Sequence, residues 1–421
     1  MFPVLLKLSS WLTSRRVRVH ATILAICLWT IYAYDMATPG LRDRNGLIKG
    51  TDFLHFYTLG ATALRSRGDW LFNMQAQSAL AAQLVPGSAG TLFLPLYGPQ
   101  VSLCFAPLAL LPYGWAFLLW MVLNVSIYFA CCWLAWNRCA NLQTQKGTVM
   151  IAAAAFPGFV HLVAWGQTSG LALLCFTFAF LALQARKLWL AGLALGGLAF
   201  KPQLALAAAL VLVLAREGRI LLAAAGTALA QLAAGWIAYG TDVMRQYASA
   251  LLRVNGQLTL LEPRPYQTHC LKTFWSMLLR APHLALGFYV ITASGVLLVA
   301  WRAWKASGSL PIRYSVLLFA TVLVSPHLTV YDLVILAPAF LILADWAVQH
   351  RGHPLQPSLK ILLYLCYPLF LIGPWAQTTH VQLSVLAMIA IFWIASRIAN
   401  QAGESGDERG RNSVRDLPEP G

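Results

Sequence analysis

Residues 50–57 read Gly-Thr-Asp-Phe-Leu-His-Phe-Tyr and follow the first long apolar segment of the chain. Asp52 and His55 are three positions apart, so a helix would place both side chains on one face. Gly50 and Thr51 are residue types that break the chain and cap such a helix. Because a helix dipole favours negative charge in the first turn, Asp52 is expected to stay ionised. The stretch predicts a base beside a membrane-like segment, although Asp52 would also suit a purely structural role at the helix N-terminus.

The composition around this stretch is that of a membrane protein. Of 421 residues, 59% are hydrophobic and only 10% are charged, and the mean hydropathy is +0.65. Leu- and Ala-rich runs of about 15 to 24 residues recur along the chain, and runs of this length cross a bilayer as helices. They lack the alternation that is typical of membrane strands. The sequence therefore predicts an all-α polytopic membrane protein.

The net charge of +16 does not indicate a nucleic-acid partner. The basic residues lie in small groups between apolar runs, which is the pattern that sets membrane topology. The eight cysteines fall mostly in apolar runs and form no CxxC pair, so they are interpreted as packing residues. His350 and His353 form an HxxH in a polar loop with no further ligand nearby. Neither a metal nor a cofactor is expected.

Placing the basic groups in the cytoplasm gives about twelve transmembrane helices with both termini inside. The apolar segment 101–111 is bounded by Pro99 and Pro112 and is too short to cross, so it is expected to lie at the interface or to re-enter. If it crossed, most basic groups would face outside. The predicted spans are residues 17–35, 114–136, 148–165, 169–185, 188–200, 203–215, 219–239, 285–304, 313–326, 330–347, 358–375 and 380–398.

This topology defines one transmembrane domain over residues 1–398 with two large outer loops. The first outer loop, residues 35–113, contains the helix with the candidate base and an amphipathic stretch at 74–84, and both are expected to lie at the membrane interface. The second large outer loop covers residues 240–284. Residues 399–421 are rich in Gly, Glu, Asp and Arg, and are expected to form a disordered cytoplasmic tail.

Several polar residues that do not suit lipid fall on the outer side, level with Asp52. Lys201 interrupts an apolar run just before Pro202. Two half-length helices meeting at Pro202 would place this lysine at an outer apex, as at the ligand sites of broken helices. Snorkelling to the headgroups is the alternative for Lys201, and satisfied polar turns are the alternative for the rest. The remaining residues lie in two short polar connections: Gln167, His327, Tyr331 and Asp332.

Together these motifs resemble glycosyltransferase family 87, a group of multi-span GT-C enzymes related to polyprenyl-phosphate-mannose-dependent mannosyltransferases. The resemblance covers residues from about 17 to 398, and it departs from the family pattern at Tyr97-Gly98-Pro99 and at Ser169. It is carried by Gly-Thr-Asp-Phe at 50–53, Tyr-Gly-Pro at 97–99, Ala-Pro-Leu at 106–108, Gly166-Gln167, Lys201, and Ser-Pro-His with Tyr-Asp-Leu at 325–333.

The resemblance implies a GT-C-like bundle in the inner (plasma) membrane, with its active site facing the outside or periplasm. It implies inverting transfer of a hexose, with mannose expected, from a polyprenyl-phosphate-linked donor to an envelope glycolipid or glycan. Asp52 would be the general base, Lys201 would hold the donor phosphate, and His327 with Gln167 would contact phosphate or sugar. The full set of expected substrate-binding residues is His55, Gln167, Lys201, His327, Tyr331 and Asp332.

Two other classes of protein share some of these features. A secondary transporter of a polar or anionic substrate also uses Lys, His and Asp within the membrane. A scaffold or flippase-like component of envelope assembly would leave Asp52 unexplained. The long first outer loop with its amphipathic helices favours the enzyme, because a catalyst working at the membrane surface needs such a loop and a transporter does not.

Overall fold

The computed structural model describes the backbone of residues 2–253, 262 and 264–415, and the side chains of 5–253, 262 and 264–401. All regular elements in these residues are helical, as predicted. Two isolated β-bridges, Arg42 with Ile48 and Thr268 with Thr329, join loop segments.

The first half of the chain contains two helices before residues 35–113, three short helices within that segment, and six apolar helices after it. The amphipathic stretch predicted at 74–84 is confirmed as α4. The bounds are α1 Phe2–Trp11, α2 Ser14–Met36, α3 Thr51–Leu64, α4 Met74–Leu84, α5 Gln100–Phe105, α6 Tyr113–Trp136, α7 Lys146–Ala154, α8 Pro157–Trp165, α9 Ser169–Gln184, α10 Leu188–Gly196 and α11 Pro202–Ala215.

The second half begins with a long kinked helix, and short 3₁₀ helices join several elements of the chain. The remaining α-helices are α12 Gly218–Arg253, α13 Leu271–Leu278, α14 Pro282–Lys305, α15 Leu310–Val324, α16 Ala337–Gln349, α17 Gln356–Leu369, α18 Gly373–Thr379 and α19 Leu383–Arg415. The 3₁₀ helices are Gly68–Trp70, Leu108–Leu110, Ala140–Gln145, Gly197–Phe200, Pro265–Gln267 and Val330–Leu336.

Six helical stretches of the described residues are long and apolar enough to cross a membrane. Two further pairs of shorter helices are each bent at a break, and counting each pair as one span raises the total to eight. The six are Ser14–Met36, Tyr113–Trp136, Gly218–Arg253, Pro282–Lys305, Val330–Gln349 and Leu383–Gln401. The bent pairs are α7 with α8, at 49°, and α17 with α18, at 84°. The other four predicted spans coincide with shorter apolar helices, namely Ser169–Gln184, Leu188–Phe200, Pro202–Ala215 and Leu310–Val324. The count of about twelve therefore stays a prediction.

Apolar side chains lie both inside the bundle and on its outer surface. Helix α2 exposes Ile23, Ile26 and Ile31, and only 6% of its most apolar stretch is buried. By contrast, 83% of the most apolar stretch of Val330–Gln349 is buried, and this segment forms part of the core. Exposed apolar faces of this extent are favourable only against lipid. The chain is a multi-pass membrane protein with a central helical core.

Segment 101–111 contains only α5 and a single 3₁₀ turn, and none of the candidate spans covers it. Its helical pieces are too short to cross alone, and the topology in which it does not cross stays a prediction. The predicted start of the second outer loop, residue 240, coincides with a break in α12, and this bound stays a prediction. Helix α12 continues to Arg253 after a kink at Gly240, whose φ of 80° and ψ of 179° are not helical. Glycine adopts this conformation without a Cβ clash, so one helical piece ends at the kink and a second begins after it.

Two predicted regions extend beyond the described residues. Within the second outer loop, residues 254–261 and 263 lie outside the described residues. The expected cytoplasmic tail is described as backbone of α19 up to Arg415, and its residues 416–421 lie outside the described residues. The domain bounds and the disorder of the tail therefore remain predictions.

Candidate active site

Asp52 lies in the first turn of α3, at the positive end of the helix dipole. Gly50 is the N-cap, with a left-handed φ of 70°, and a Cβ at this position would lie 2.2 Å from the Phe117 ring. Only glycine satisfies both constraints. Thr51, expected to help cap the helix, is its first residue and donates its hydroxyl to the Ile48 carbonyl at 2.9 Å. This geometry leaves the Asp52 side chain partly exposed.

Helix α6 holds the start of α3 against the connection between α8 and α9. The Tyr113 hydroxyl donates to the Gly50 carbonyl at 3.0 Å, and the Trp120 indole N–H donates to the Gly166 carbonyl at 2.8 Å. The fully buried Phe53 ring stacks against Trp120, with a centroid distance of 6.2 Å. Buried bonds of this kind fix backbone position because leaving either partner unpaired is costly. Two segments far apart in sequence are thereby held together.

Gly166 turns the chain from α8 into α9 and sets the direction of Gln167. Its φ of 69° lies in the left-handed region, and a Cβ here would lie 2.6 Å from the Cβ of Phe53. The turn places Gln167 directly beside the start of α3, and Ser169 becomes the first residue of α9. A glycine is therefore required here for backbone conformation and for close packing.

Lys201 occupies the break between a 3₁₀ turn and α11. The turn ends at Phe200 and α11 begins at Pro202, whose fixed φ and missing N–H suit the first helical position. The predicted break at Pro202 is confirmed. The lysine side chain is only 3% exposed and points into the protein, whereas snorkelling would have placed it in contact with the headgroups.

Asp332 lies in the first turn of the 3₁₀ helix Val330–Leu336 and is 2% exposed. It forms a capping box with Thr329: the Thr329 N–H donates to Asp332 Oδ2 at 3.2 Å, and the Asp332 N–H is bound by the Thr329 side chain. This arrangement satisfies two N–H groups at the start of the helix. It also fixes the carboxylate, leaving Oδ1 directed toward Lys201.

Four segments meet in one hydrogen-bonded network. Gln167 Nε2 donates to Asp52 Oδ2 at 2.6 Å. Lys201 Nζ donates to Gln167 Oε1 at 3.3 Å, to Ser169 Oγ at 2.9 Å and to Asp332 Oδ1 at 2.9 Å. Ser169 Oγ also donates to Asp332 Oδ1. Apart from Asp52, every member is buried, so Asp52 is the member of the network that is accessible to solvent.

The surroundings of Asp52 bring its pKa closer to neutral pH than that of an ordinary aspartate. Burial raises the pKa of Asp52 to about 6, and the hydrogen bond from Gln167 and the positive charge of Lys201 oppose this rise. The negative charge of Asp332 adds to the rise. A carboxylate with this pKa is ionised at neutral pH yet is a stronger base than an ordinary aspartate.

The network lies where four helices begin. Asp52 is in the first turn of α3, Ser169 starts α9, Lys201 precedes α11, and Asp332 is in the first turn of a 3₁₀ helix. The unpaired N–H groups and dipoles of such ends favour negative charge. The site is therefore suited to a carboxylate base and an anionic ligand together.

His55 lies one turn after Asp52, as predicted, but outside the network. Its ring is surrounded by Phe56, Phe93 and Tyr97, with the nearest centroid, that of Phe93, at 4.9 Å. Burial lowers the pKa of His55 to about 4, so the ring is neutral at pH 7. Neither ring nitrogen has a partner among the described residues. Orphaned buried polar atoms are costly, so a bound water or ligand would stabilise this ring.

His327 and Tyr331 flank the network differently. Tyr331 packs over Lys201, with the ammonium 5.1 Å from its ring centroid. The structure pairs His327 with Glu262 instead, Nδ1 to Oε1 at 2.8 Å, and both side chains are largely buried. The expected residues Asp52, Gln167, Lys201, Tyr331 and Asp332 are brought together; His55 and His327 lie nearby with other neighbours.

Sequence reasoning missed two participants. Ser169 was noted only as a departure from a motif, yet it links Lys201 to Asp332. Its position as the first residue after a polar turn was the available signal. Glu262 lies in a stretch of sequence with no regular pattern, and no neighbouring residue marks it as the partner of His327. The described residues contain no cluster of His, Cys, Asp and Glu able to hold a metal ion, and metal independence remains a prediction.

Comparison with known proteins gives one result. Neither the curated proteins nor the solved structures include a significant match. The model of glycosyltransferase family 87 matches residues 95–326, which is more than half of the chain and includes Gln167, Ser169 and Lys201. The family resemblance seen in the short motifs is confirmed. This protein belongs to glycosyltransferase family 87, and it is a membrane glycosyltransferase.

Proposed function

We propose that this enzyme transfers a hexose, with mannose expected, from a polyprenyl-phosphate-linked donor to an envelope glycolipid or glycan. The reaction takes place on the outer face of the inner membrane, inverts the anomeric configuration and uses Asp52 as general base. The observation that carries the proposal is the partly exposed Asp52 carboxylate, which ends a buried network and has a raised pKa.

The reaction follows from this geometry. As the acceptor oxygen attacks the anomeric carbon, its hydroxyl proton passes to Asp52. The bond between the anomeric carbon and the phosphate oxygen breaks, and the lipid phosphate leaves with the electron pair. Among the described residues, no hydrogen bond occupies Asp52 Oδ1, so this oxygen is free to accept the proton. Attack opposite the leaving group inverts the centre.

The donor phosphate would lie among the helix N-termini that surround the network, with His327 and Tyr331 as proposed contacts. Four such ends offset the negative charge that grows on the leaving phosphate. The direct contact between Lys201 and the phosphate, expected from the family resemblance, would require the ammonium to give up one of three bonds it already makes.

Purified enzyme in lipid nanodiscs should transfer labelled mannose from polyprenyl-phosphate-mannose to an extract of envelope glycolipids. A nucleotide-linked mannose, offered at the same concentration, should be inactive, and a chelator should not reduce transfer. Mass spectrometry of the product would show one added hexose, and the anomeric configuration would be opposite to that of the donor. Transfer from the nucleotide sugar would contradict the proposed donor class. Movement of a labelled solute across proteoliposomes without transfer would favour the transporter.

His55→Phe should weaken acceptor binding while leaving the fold intact. Phenylalanine keeps the aromatic contacts with Phe93 and Tyr97 but removes both ring nitrogens, which have no partner among the described residues. Losing one hydrogen bond to an acceptor hydroxyl typically raises KM about 2- to 10-fold. The measurement is the acceptor KM at saturating donor, with His283→Phe as a control at an exposed position. An unchanged acceptor KM would exclude His55 from the acceptor site.

A further inference from the structure

We propose that the Lys201–Asp332 ion pair is a positioning device that acts on Asp52 through the side-chain amide of Gln167. In this role Lys201 does not bind the donor. This inference rests on the proposed function, because it assigns the residues that aim and hold the base.

Lys201 dictates which way the Gln167 amide points. An ammonium group only donates hydrogen bonds, so the atom facing it must be the amide oxygen. That oxygen accepts from Lys201 Nζ at 3.3 Å, which turns the NH₂ group toward Asp52 Oδ2 at 2.6 Å. In the flipped amide, NH₂ would face the ammonium and oxygen would face the carboxylate, and both contacts would be repulsive. The lysine charge therefore favours one orientation, and the Thr168 N–H, which donates to the same amide oxygen at 3.2 Å, supports it.

Asp332 in turn holds the lysine. Its Oδ1 accepts from Lys201 Nζ at 2.9 Å, and its Oδ2 accepts from the Thr329 N–H. Ser169 bonds to both members of the pair. The ammonium thus directs its three hydrogens at three fixed oxygens inside the protein, at 3% exposure. A donor phosphate cannot reach it unless this arrangement opens.

The effect on the base is geometric and electrostatic. Gln167 binds one carboxylate oxygen of Asp52 and leaves the other for the acceptor hydroxyl. The charged groups that act on Asp52 are Lys201, which favours its ionised form, and Asp332, which disfavours it. The titratable tyrosines that sense the Asp52 charge from neighbouring elements are Tyr97, Tyr113 and Tyr331. Of these groups, only Lys201 and the Gln167 amide stabilise the carboxylate.

Lys201→Met should lower kcat about 10- to 100-fold with the donor KM within about twofold of wild type, because the base is misaligned while donor contacts remain. The acid limb of the kcat/KM profile should move to higher pH, since the charge that lowers the pKa of Asp52 is lost and Asp332 still raises it. Lys187→Met makes the same side-chain change at an exposed position and should leave both quantities unchanged.

Gln167→Leu provides a second test that leaves the ion pair in place. It removes only the amide link, so it should reproduce the lower kcat and the same direction of shift in the acid limb. If Lys201→Met does not fold, Gln167→Leu alone tests whether the amide link positions Asp52. A rise in donor KM with an unmoved acid limb in Lys201→Met would overturn the inference and favour direct phosphate binding. An unmoved acid limb in Gln167→Leu would overturn it as well. Neither result would affect Asp52 as the base, which is tested separately by its own substitution.

Discussion

Asp52→Asn is expected to lower turnover about 10²- to 10⁴-fold while leaving donor binding and folding nearly intact. Asparagine keeps the shape of the side chain and its contact with Gln167 but cannot accept a proton. An acceptor hydroxyl is far too weakly acidic to lose its proton before attack, so the base must act as the new bond forms. Sugar transfer from a polyprenyl-phosphate donor by purified protein measures the effect. Wild-type kcat/KM should also fall as pH drops below about 6, where Asp52 becomes protonated.

The matched control is Asp69→Asn, which removes an exposed carboxylate from the same segment, residues 35–113. It should retain wild-type turnover. Asp52→Glu should also be poor, because moving the oxygen by one carbon spoils alignment with the attacking hydroxyl. Near-normal turnover of Asp52→Asn, with expression matched to wild type, would remove Asp52 as the base and leave it a structural role at the start of α3.

Asp332→Leu is expected to reduce the free energy of unfolding by about 3–5 kcal/mol, because it leaves the buried Lys201 ammonium without its counter-charge. The double variant Lys201→Met with Asp332→Leu should recover most of that loss, since two apolar side chains replace a pair that is 3% and 2% exposed. It should nevertheless stay poorly active, because the ammonium no longer holds the Gln167 amide and only the Thr168 N–H still donates to its oxygen. Reversible unfolding in mixed micelles, alongside the transfer assay, separates stability from activity.

Removal of the exposed pair Asp242–Arg245 is the comparison, and it should barely change stability because water and ions screen exposed charges. If Asp332→Leu were as stable as wild type, Lys201 would have to be neutral or rehydrated in that variant, and the proposed ion pair would contribute nothing. If the double variant were fully active, the pair would be structural only.

Local sequence determined much of the framework of this protein. Apolar runs predicted the helices and the membrane setting, and Gly50 and Thr51 predicted the start of α3. The bounds of α4 and the break before Pro202 were also correctly predicted. These features depend on backbone dihedral preferences and on hydrophobicity over a few turns, which neighbouring residues fix by themselves. The family motifs added the chemical class.

Tertiary packing decided how those pieces form a site. Gln167 meets Asp52 across 115 positions and Lys201 meets Asp332 across 131, and no local pattern encodes either distance in space. Ser169 departed from a motif in the sequence, yet packing made it a bridge within the network. Packing also turned Lys201 inward. A lone lysine at a helix break is equally compatible with headgroups, a ligand or a buried partner. The position of Asp332 at the start of another helix allows Lys201 to be buried, because a buried charge is stable only when its counter-charge and hydrogen bonds are already in place.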